Sequence, residues 1–130
     1  MKIKKKRKII VTNALPYANG EIHIGHILEH IQTDIWVRFM RNSNHEVLSF
    51  CADDAHGAPI MMKADELKMK PTDLIDQMKE DHEESLKKFG IKYTNYYSTH
   101  SNENETLVSE IYLDAKNSDQ IYKEDIEQCF

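Results

Sequence analysis

With 130 residues, 22 acidic against 17 basic side chains and a net charge of −5, the chain fits one domain and lacks the clustered Lys and Arg of a general nucleic-acid coat. At 40% hydrophobic and 30% charged it carries enough apolar side chains for a core, which excludes a disordered or fibrous chain. Its apolar runs are a few residues long, far short of the roughly 20 that cross a bilayer, and the basic flank at residues 1–8 is not followed by the apolar stretch of a secretory signal.

A cytoplasmic protein is therefore expected. Cysteine usage agrees, because Cys51 lies inside an apolar run, Cys129 is next to last, and no CxxC pair occurs, a pattern of neither a disulfide framework nor a zinc site. The basic run Lys4 to Lys8 reads as a solvated flank rather than an RNA-touching arm.

In chain order, Ile9, Ile10 and Val11 form a β-branched run that reads as a strand buried on both faces, hence parallel and central. Pro16, Asn19 and Gly20 then force a loop. From His23 the apolar positions Ile24, Ile27, Leu28, Ile31 and Ile35, with Phe39 beyond, mark one face of a long helix that should end near Asn42 to Asn44, where asparagine can take the left-handed cap. Val47 to Ala52 reads as a second buried strand, so strand, helix, strand implies a right-handed parallel crossover.

Beyond Asp53, Ile60, Met61, Ala64 and Leu67 make a short amphipathic helix, and Leu74, Ile75, Met78, Leu86 and Phe89 a longer one entered at Pro71 and left at Gly90. Tyr93, Tyr96 and Tyr97 suggest an extended segment, Leu107, Val108, Ile111 and Ala115 another helix, and Ile121 with Tyr122 a last short strand. The expected fold is α/β, the first half of a Rossmann-like nucleotide-binding fold with a parallel sheet flanked by helices.

Such a sheet binds ligands at the carboxyl ends of its strands. Two distinctive segments lie there, Ala14 to His26 leading into the first helix and Cys51 to Gly57 leaving the second strand. His23 and His26, three apart at a helix start, share one side of the first turn, where free N–H groups and the dipole favour an anion. Gly25 between them leaves room for a flat base against the backbone. Taken alone the pair reads either as helix caps facing solvent or as a nucleotide cradle. Zinc is disfavoured, because the HExxH form needs a spacing of four.

The segment Ala14 to His26 resembles the signature of class I aminoacyl-tRNA synthetases, with His23-Ile24-Gly25-His26 matching their His-Ile-Gly-His motif. The preceding Ala-Leu-Pro-Tyr-Ala-Asn-Gly, together with Cys-Ala-Asp-Asp-Ala-His-Gly at 51–57, is similar to methionyl-tRNA synthetases in particular; leucyl and valyl enzymes share the histidine motif but usually carry other residues before it.

The resemblance implies that methionine and ATP, with Mg2+, give methionyl adenylate and pyrophosphate, after which the amino acid passes to the end of tRNA(Met). It implies that His23 and His26 contact the ATP phosphates, that Gly25 with Asn19 and Gly20 lines the adenosine, that Asp54 pairs with the methionine α-ammonium, and that Leu15 and Tyr17 help form the amino-acid site. Without it, Asp53 and Asp54 read equally well as turn formers and Tyr17 as a packing residue beside Pro16. Glu29 is a site-edge candidate, His56 has no role beyond shaping the turn at Gly57, Met61, Met62, Met69 and Met78 read as core filler, and the acidic run Glu80, Asp81, Glu83, Glu84 as a solvated helix face.

Lys68-Met69-Lys70-Pro71 superficially resembles the lysine-loop signature of the class but lacks its Ser-Lys-Ser part, and reads as a helix-to-helix connection. By this resemblance residues 9–130 are the N-terminal half of a truncated catalytic domain. Zinc is then expected only in an absent downstream part, the chain alone should not complete catalysis, and self-association or pairing with the complementary half is expected. The alternatives are a non-catalytic fragment that folds on a partner and a small nucleotidyltransferase sharing the histidine motif.

Overall fold

The computed structural model describes residues 5–125, so the Lys4 end of the basic flank and Cys129 lie outside the described residues. The chain divides into two compact units, 1–99 and 100–130.

The first unit is built on a three-stranded parallel sheet of order β1-β2-β3, formed by β1 (Lys8–Thr12), β2 (Glu46–Asp53) and β3 (Asn95–Ser98). Ile10 pairs with Leu48, and Cys51 with Tyr96. A single helix, α1 (Ile24–Asn42), crosses from β1 to β2, and two, α2 (Ala58–Leu67) and α3 (Pro71–Lys88), cross from β2 to β3. This is the parallel α/β arrangement expected from the alternation of β-branched runs with helical stripes.

Local signals account for the boundaries. Asn44 takes the left-handed conformation (φ 64°) just beyond α1, as the Asn42 to Asn44 cluster suggests. Lys68 closes α2 in the same conformation (φ 56°), Lys70 caps α3 with Pro71 in its first turn, and Gly90 (φ 70°) leaves it, so residues 68–71 are indeed a helix-to-helix connection.

Two expectations about the strands fail. β1 is an edge strand and β2 is central. Neither is buried on both faces: Val47, Ser49, Cys51 and Asp53 of β2 are buried while the alternate positions are not, and Ile10 is 71% exposed. A continuous apolar run cannot by itself tell one covered face from two, because the period-2 geometry sends every second side chain the other way. The covered face packs on helices, with Val37, Met40 and Val47 joined by Ile9 and Val11 in one cluster and Ile27, Leu86 and Ile91 in another. A third cluster holds Ala18, Ala55, Ile60, Ala64, Leu74, Ile75 and Met78.

Among the described residues Ile10 and Leu48 therefore stand adjacent on an exposed sheet face beside an unpaired edge, a combination that natural proteins usually cover. The 130-residue chain should self-associate at high concentration, and a sedimentation profile of clean monomer would contradict this.

The methionines divide. Met78 is core and Met69 packs against it, whereas Met61 and Met62 are exposed rather than core filler. In the second unit, α4 (Asn102–Asn117) follows the expected stripe, capped by Ser101, but no residue of it is buried. Ile121 and Tyr122 form no strand, because an isolated apolar pair has no neighbouring strand to complete a ladder. Among the described residues no helix is long and apolar enough to cross a membrane.

Candidate functional site

The segments leaving β1 and β2 meet beyond the carboxyl ends of the strands. Tyr17 and Asp54 form an isolated parallel bridge, in which the Asp54 N–H donates to Pro16 O (2.8 Å) and the Ala18 N–H to Asp54 O (2.9 Å). Ala18 and Ala55 are both buried in the third core cluster, so the small residues of the two segments are what allows them to lie together. Tyr17, half-buried against that cluster, donates from Oη to His56 O at 2.8 Å. Tyr17 is thus both a packing residue and a tie between the segments.

That tie explains one glycine. Gly57 has φ 126°, and a Cβ there would stand 2.5 Å from Tyr17 Oη. Gly57→Ala should destabilise the fold by about 1 to 3 kcal/mol through strain and clash together, and adding Tyr17→Phe should recover only the clash. Denaturant unfolding of the three variants checks this; a neutral Gly57→Ala would mean that the turn is free to rearrange.

At the start of α1 the two histidines form a reciprocal cap. His23, the N-cap, accepts the Gly25 N–H on Nδ1 (3.1 Å), and His26 accepts the His23 N–H on its own Nδ1 (3.3 Å). Their rings stack with centroids 3.8 Å apart. With Nδ1 occupied as an acceptor, each neutral ring must carry its proton on Nε2, the nitrogen left to act as a donor. Burial first, then the charges of the neighbouring His23 and His82, outweigh the opposing pull of Glu29 and hold the His26 pKa below its ordinary 6.5, so His26 is neutral at pH 7. The cap thus serves first-turn N–H groups that a helix start leaves without an intrahelical partner.

Capping and anion binding are therefore not competing readings of this pair, since the cap uses Nδ1 and leaves Nε2. Gly25 serves the cap directly: a Cβ there would lie 3.0 Å from the His23 ring, so the bare α-carbon lets that ring fold back over the backbone. Gly20 is open, with nothing within 4 Å of an added Cβ, and Asn19 and Leu15 are exposed. Glu29 accepts the Ala14 N–H at 3.1 Å and so tethers the end of β1 to α1.

The two aspartates part company. Asp54 is exposed, its backbone is fixed by the bridge, and its carboxylate has no partner among the described residues. Asp53 is no turn former: it ends β2 with its side chain fully buried, 2.8 Å from His82 Nδ1, and the Tyr96 hydroxyl donates to the same oxygen. His82 faces inward from an acidic run whose Glu80, Glu83 and Glu84 are exposed.

His82 escaped the sequence reading, although it falls four residues from both Met78 and Leu86 on the apolar stripe of α3; a titratable residue on such a stripe is the signal that finds it. His30, 2% exposed on α1, is a second buried histidine, sharing its Nδ1 with the Asn13 side chain (3.2 Å) and the Tyr93 hydroxyl (2.5 Å). Burial lowers its pKa, so it is neutral. Burial likewise pushes the Cys51 thiol up to about 11, which makes it a packing residue and not a nucleophile. Among the described residues no group of three or more His, Cys, Asp or Glu could hold a metal ion.

Comparison with known proteins gives a consistent picture. The family model for class I tRNA synthetases (M) matches residues 9–130. The fold superposes on LeuRS of Agrobacterium radiobacter K84, seen in a ternary complex with tRNA and LeuAMS, with TM-score 0.86 and 23% identity over 94% of this chain. It also superposes on methionyl-tRNA synthetase of Mycobacterium tuberculosis in complex with methionyl-adenylate, with TM-score 0.80 and 21% identity over 87% of this chain. The chain spans 16% and 22% of the lengths of those two proteins.

Proposed function

We propose, since this chain belongs to the class I tRNA synthetase family, that it carries the amino-acid-activating half-site of a cytoplasmic methionine–tRNA ligase. The observation that carries this reading is the bridge between Tyr17 and Asp54, which sets an unengaged carboxylate and the doubly capped start of α1 at the same end of the sheet. Support for methionine within the class comes from the strings Ala14 to Gly20 and Cys51 to Gly57 and from the M group of the matching family.

In this reading ATP, with Mg2+, lies over Asn19, Gly20 and Gly25. Its phosphates face the His23 and His26 Nε2–H donors at the positive end of the α1 dipole. The amino-acid carboxylate attacks the α-phosphorus and pyrophosphate leaves. Donors fixed by their own capping bonds need no reorganisation as charge builds, which is the electrostatic part of the catalysis. Asp54 holds the α-ammonium, and Leu15 and Tyr17 give an apolar and aromatic wall suited to a thioether. tRNA(Met) is the acceptor in the second step, and zinc belongs to other parts of such an enzyme.

The reading is tested by pyrophosphate exchange into ATP in the enzyme that carries this segment, with methionine, leucine and valine offered separately. Exchange with methionine is expected; exchange with leucine instead would overturn the assignment.

A narrower test is ATP titration of the chain. His23→Ala and His26→Ala should each weaken binding about tenfold, the loss of one charge-assisted donor. His23→Ala also removes the N-cap, worth about 1 kcal/mol of stability, so unfolding is measured alongside. Equal affinity in the double variant would remove the histidines from the phosphate site.

A further inference from the structure

One side chain from outside both segments joins them. His82, 1% exposed on α3, has Nδ1 2.8 Å from Asp53 Oδ1 and Nε2 2.8 Å from the Gly20 carbonyl oxygen. Asp53 precedes Asp54 directly, and Gly20 lies three residues before the N-cap His23. Both partners are acceptors. A neutral imidazole has one N–H to give, so only the imidazolium serves the carboxylate and the carbonyl together.

We propose that His82 is a positioning residue, an imidazolium clamp that fixes the start of α1 against the Asp54 end of β2 and lets go of Gly20 when it loses its proton. The clamp rests on the reading of these two places as the ATP and amino-acid subsites. On deprotonation the remaining hydrogen stays on Nδ1, because a carboxylate is a stronger acceptor than a carbonyl, and the Gly20 oxygen is the contact that is lost.

The surroundings favour the charged form. Burial pulls the His82 pKa down, but the hydrogen bonds to Asp53 and Gly20 and the Asp53 charge outweigh it and leave it above the ordinary 6.5. The titratable groups that act on the ring are Asp53 of β2, Tyr96 of β3 through Asp53, His26 and His30 of α1 and Asp81 of its own helix. The second Asp53 oxygen is buried without a partner, so the carboxylate depends on the charge beside it.

The experiment follows the full chain, labelled with 15N, through neutral and alkaline pH by NMR. Both His82 ring nitrogens should be protonated at neutral pH, and the backbone amides of Gly20, Glu21 and Asp54 should shift with the midpoint at which the ring deprotonates, above the ordinary histidine value. A singly protonated ring at neutral pH, or amides that ignore its titration, would overturn the clamp.

ATP titration over the same range gives the second readout. Wild-type affinity should fall severalfold as His82 loses its proton. His82→Gln, which keeps donors without the charge, should bind about tenfold more weakly at neutral pH and show no such step. Wild-type binding with no step would refute the positioning role. A chain that binds no ATP at all would instead sink the ATP reading of α1, while the amide shifts still decide whether the clamp exists; they also decide it if the variant fails to fold.

Discussion

Replacing His82 by alanine should destabilise the chain by about 3 to 5 kcal/mol, the range for breaking a buried ion pair by removing one partner. Much of this is a penalty and not the net worth of the pair: the Asp53 carboxylate, fully buried, would keep only the Tyr96 hydroxyl, and the Gly20 carbonyl would lose its donor. The cavity left on the apolar stripe between Met78 and Leu86 adds to it. Urea unfolding near pH 6 checks the value, and a cost below about 1 kcal/mol would show that Asp53 does not depend on His82. Asp53→Asn with His82→Leu should lose less than His82→Ala alone, because the pair is removed with its charges.

The pH dependence separates the two buried histidines. The His82 pKa is raised by folding, so its contribution is fully present below about 6.5, the unfolded value, and is lost as pH rises through the higher folded value. His30 is the reverse. Its pKa is lowered by folding, chiefly by burial, so its cost is absent above 6.5 and grows as pH falls through the folded value. Stability should therefore fall off on both sides of neutrality, and in His82→Ala the alkaline limb should flatten while the acid limb, to which His30 and His26 both contribute, persists.

Most of the fold was legible because its signals are local. The stripe from Ile24 to Phe39, the asparagines after it, Pro71 and Gly90 each act within a few residues, and each stands at the boundary it marks. Burial of a strand face is not local. Ile10 and Leu48 are as apolar as Val47, and only the path of α1 decides which of them it covers. The site divides in the same way. The spacing of His23 and His26 placed them on one turn, but that their Nδ1 atoms cap the helix and leave Nε2 to donate depends on ring orientation, which spacing does not encode. His82 lies 62 residues from Gly20, and no short motif spans that distance.

Asp53 and Asp54 show how far one position of register matters, and the second large effect is expected at Asp54. Alternation sends Asp53 into the core and Asp54 out, so neighbours of identical chemistry have opposite fates. Asp54→Asn keeps the shape and the backbone bonds to Pro16 and Ala18, and removes only the charge. If the carboxylate receives an α-ammonium, the change should cost about 1.5 to 3 kcal/mol of amino-acid binding, roughly tenfold to a hundredfold. ATP binding should hardly change, since its phosphates face the start of α1. A turn-forming Asp54 would instead accept asparagine, one of the best residues for a turn, with both affinities intact. Stability should be equal in wild type and variant, because the side chain is exposed and makes no bond among the described residues. The measurement is the Michaelis constants for methionine and ATP in pyrophosphate exchange by the enzyme that carries this segment. An unchanged methionine constant and turnover would take Asp54 out of the site, and parallel losses for both substrates would point to damage at the bridge with Tyr17.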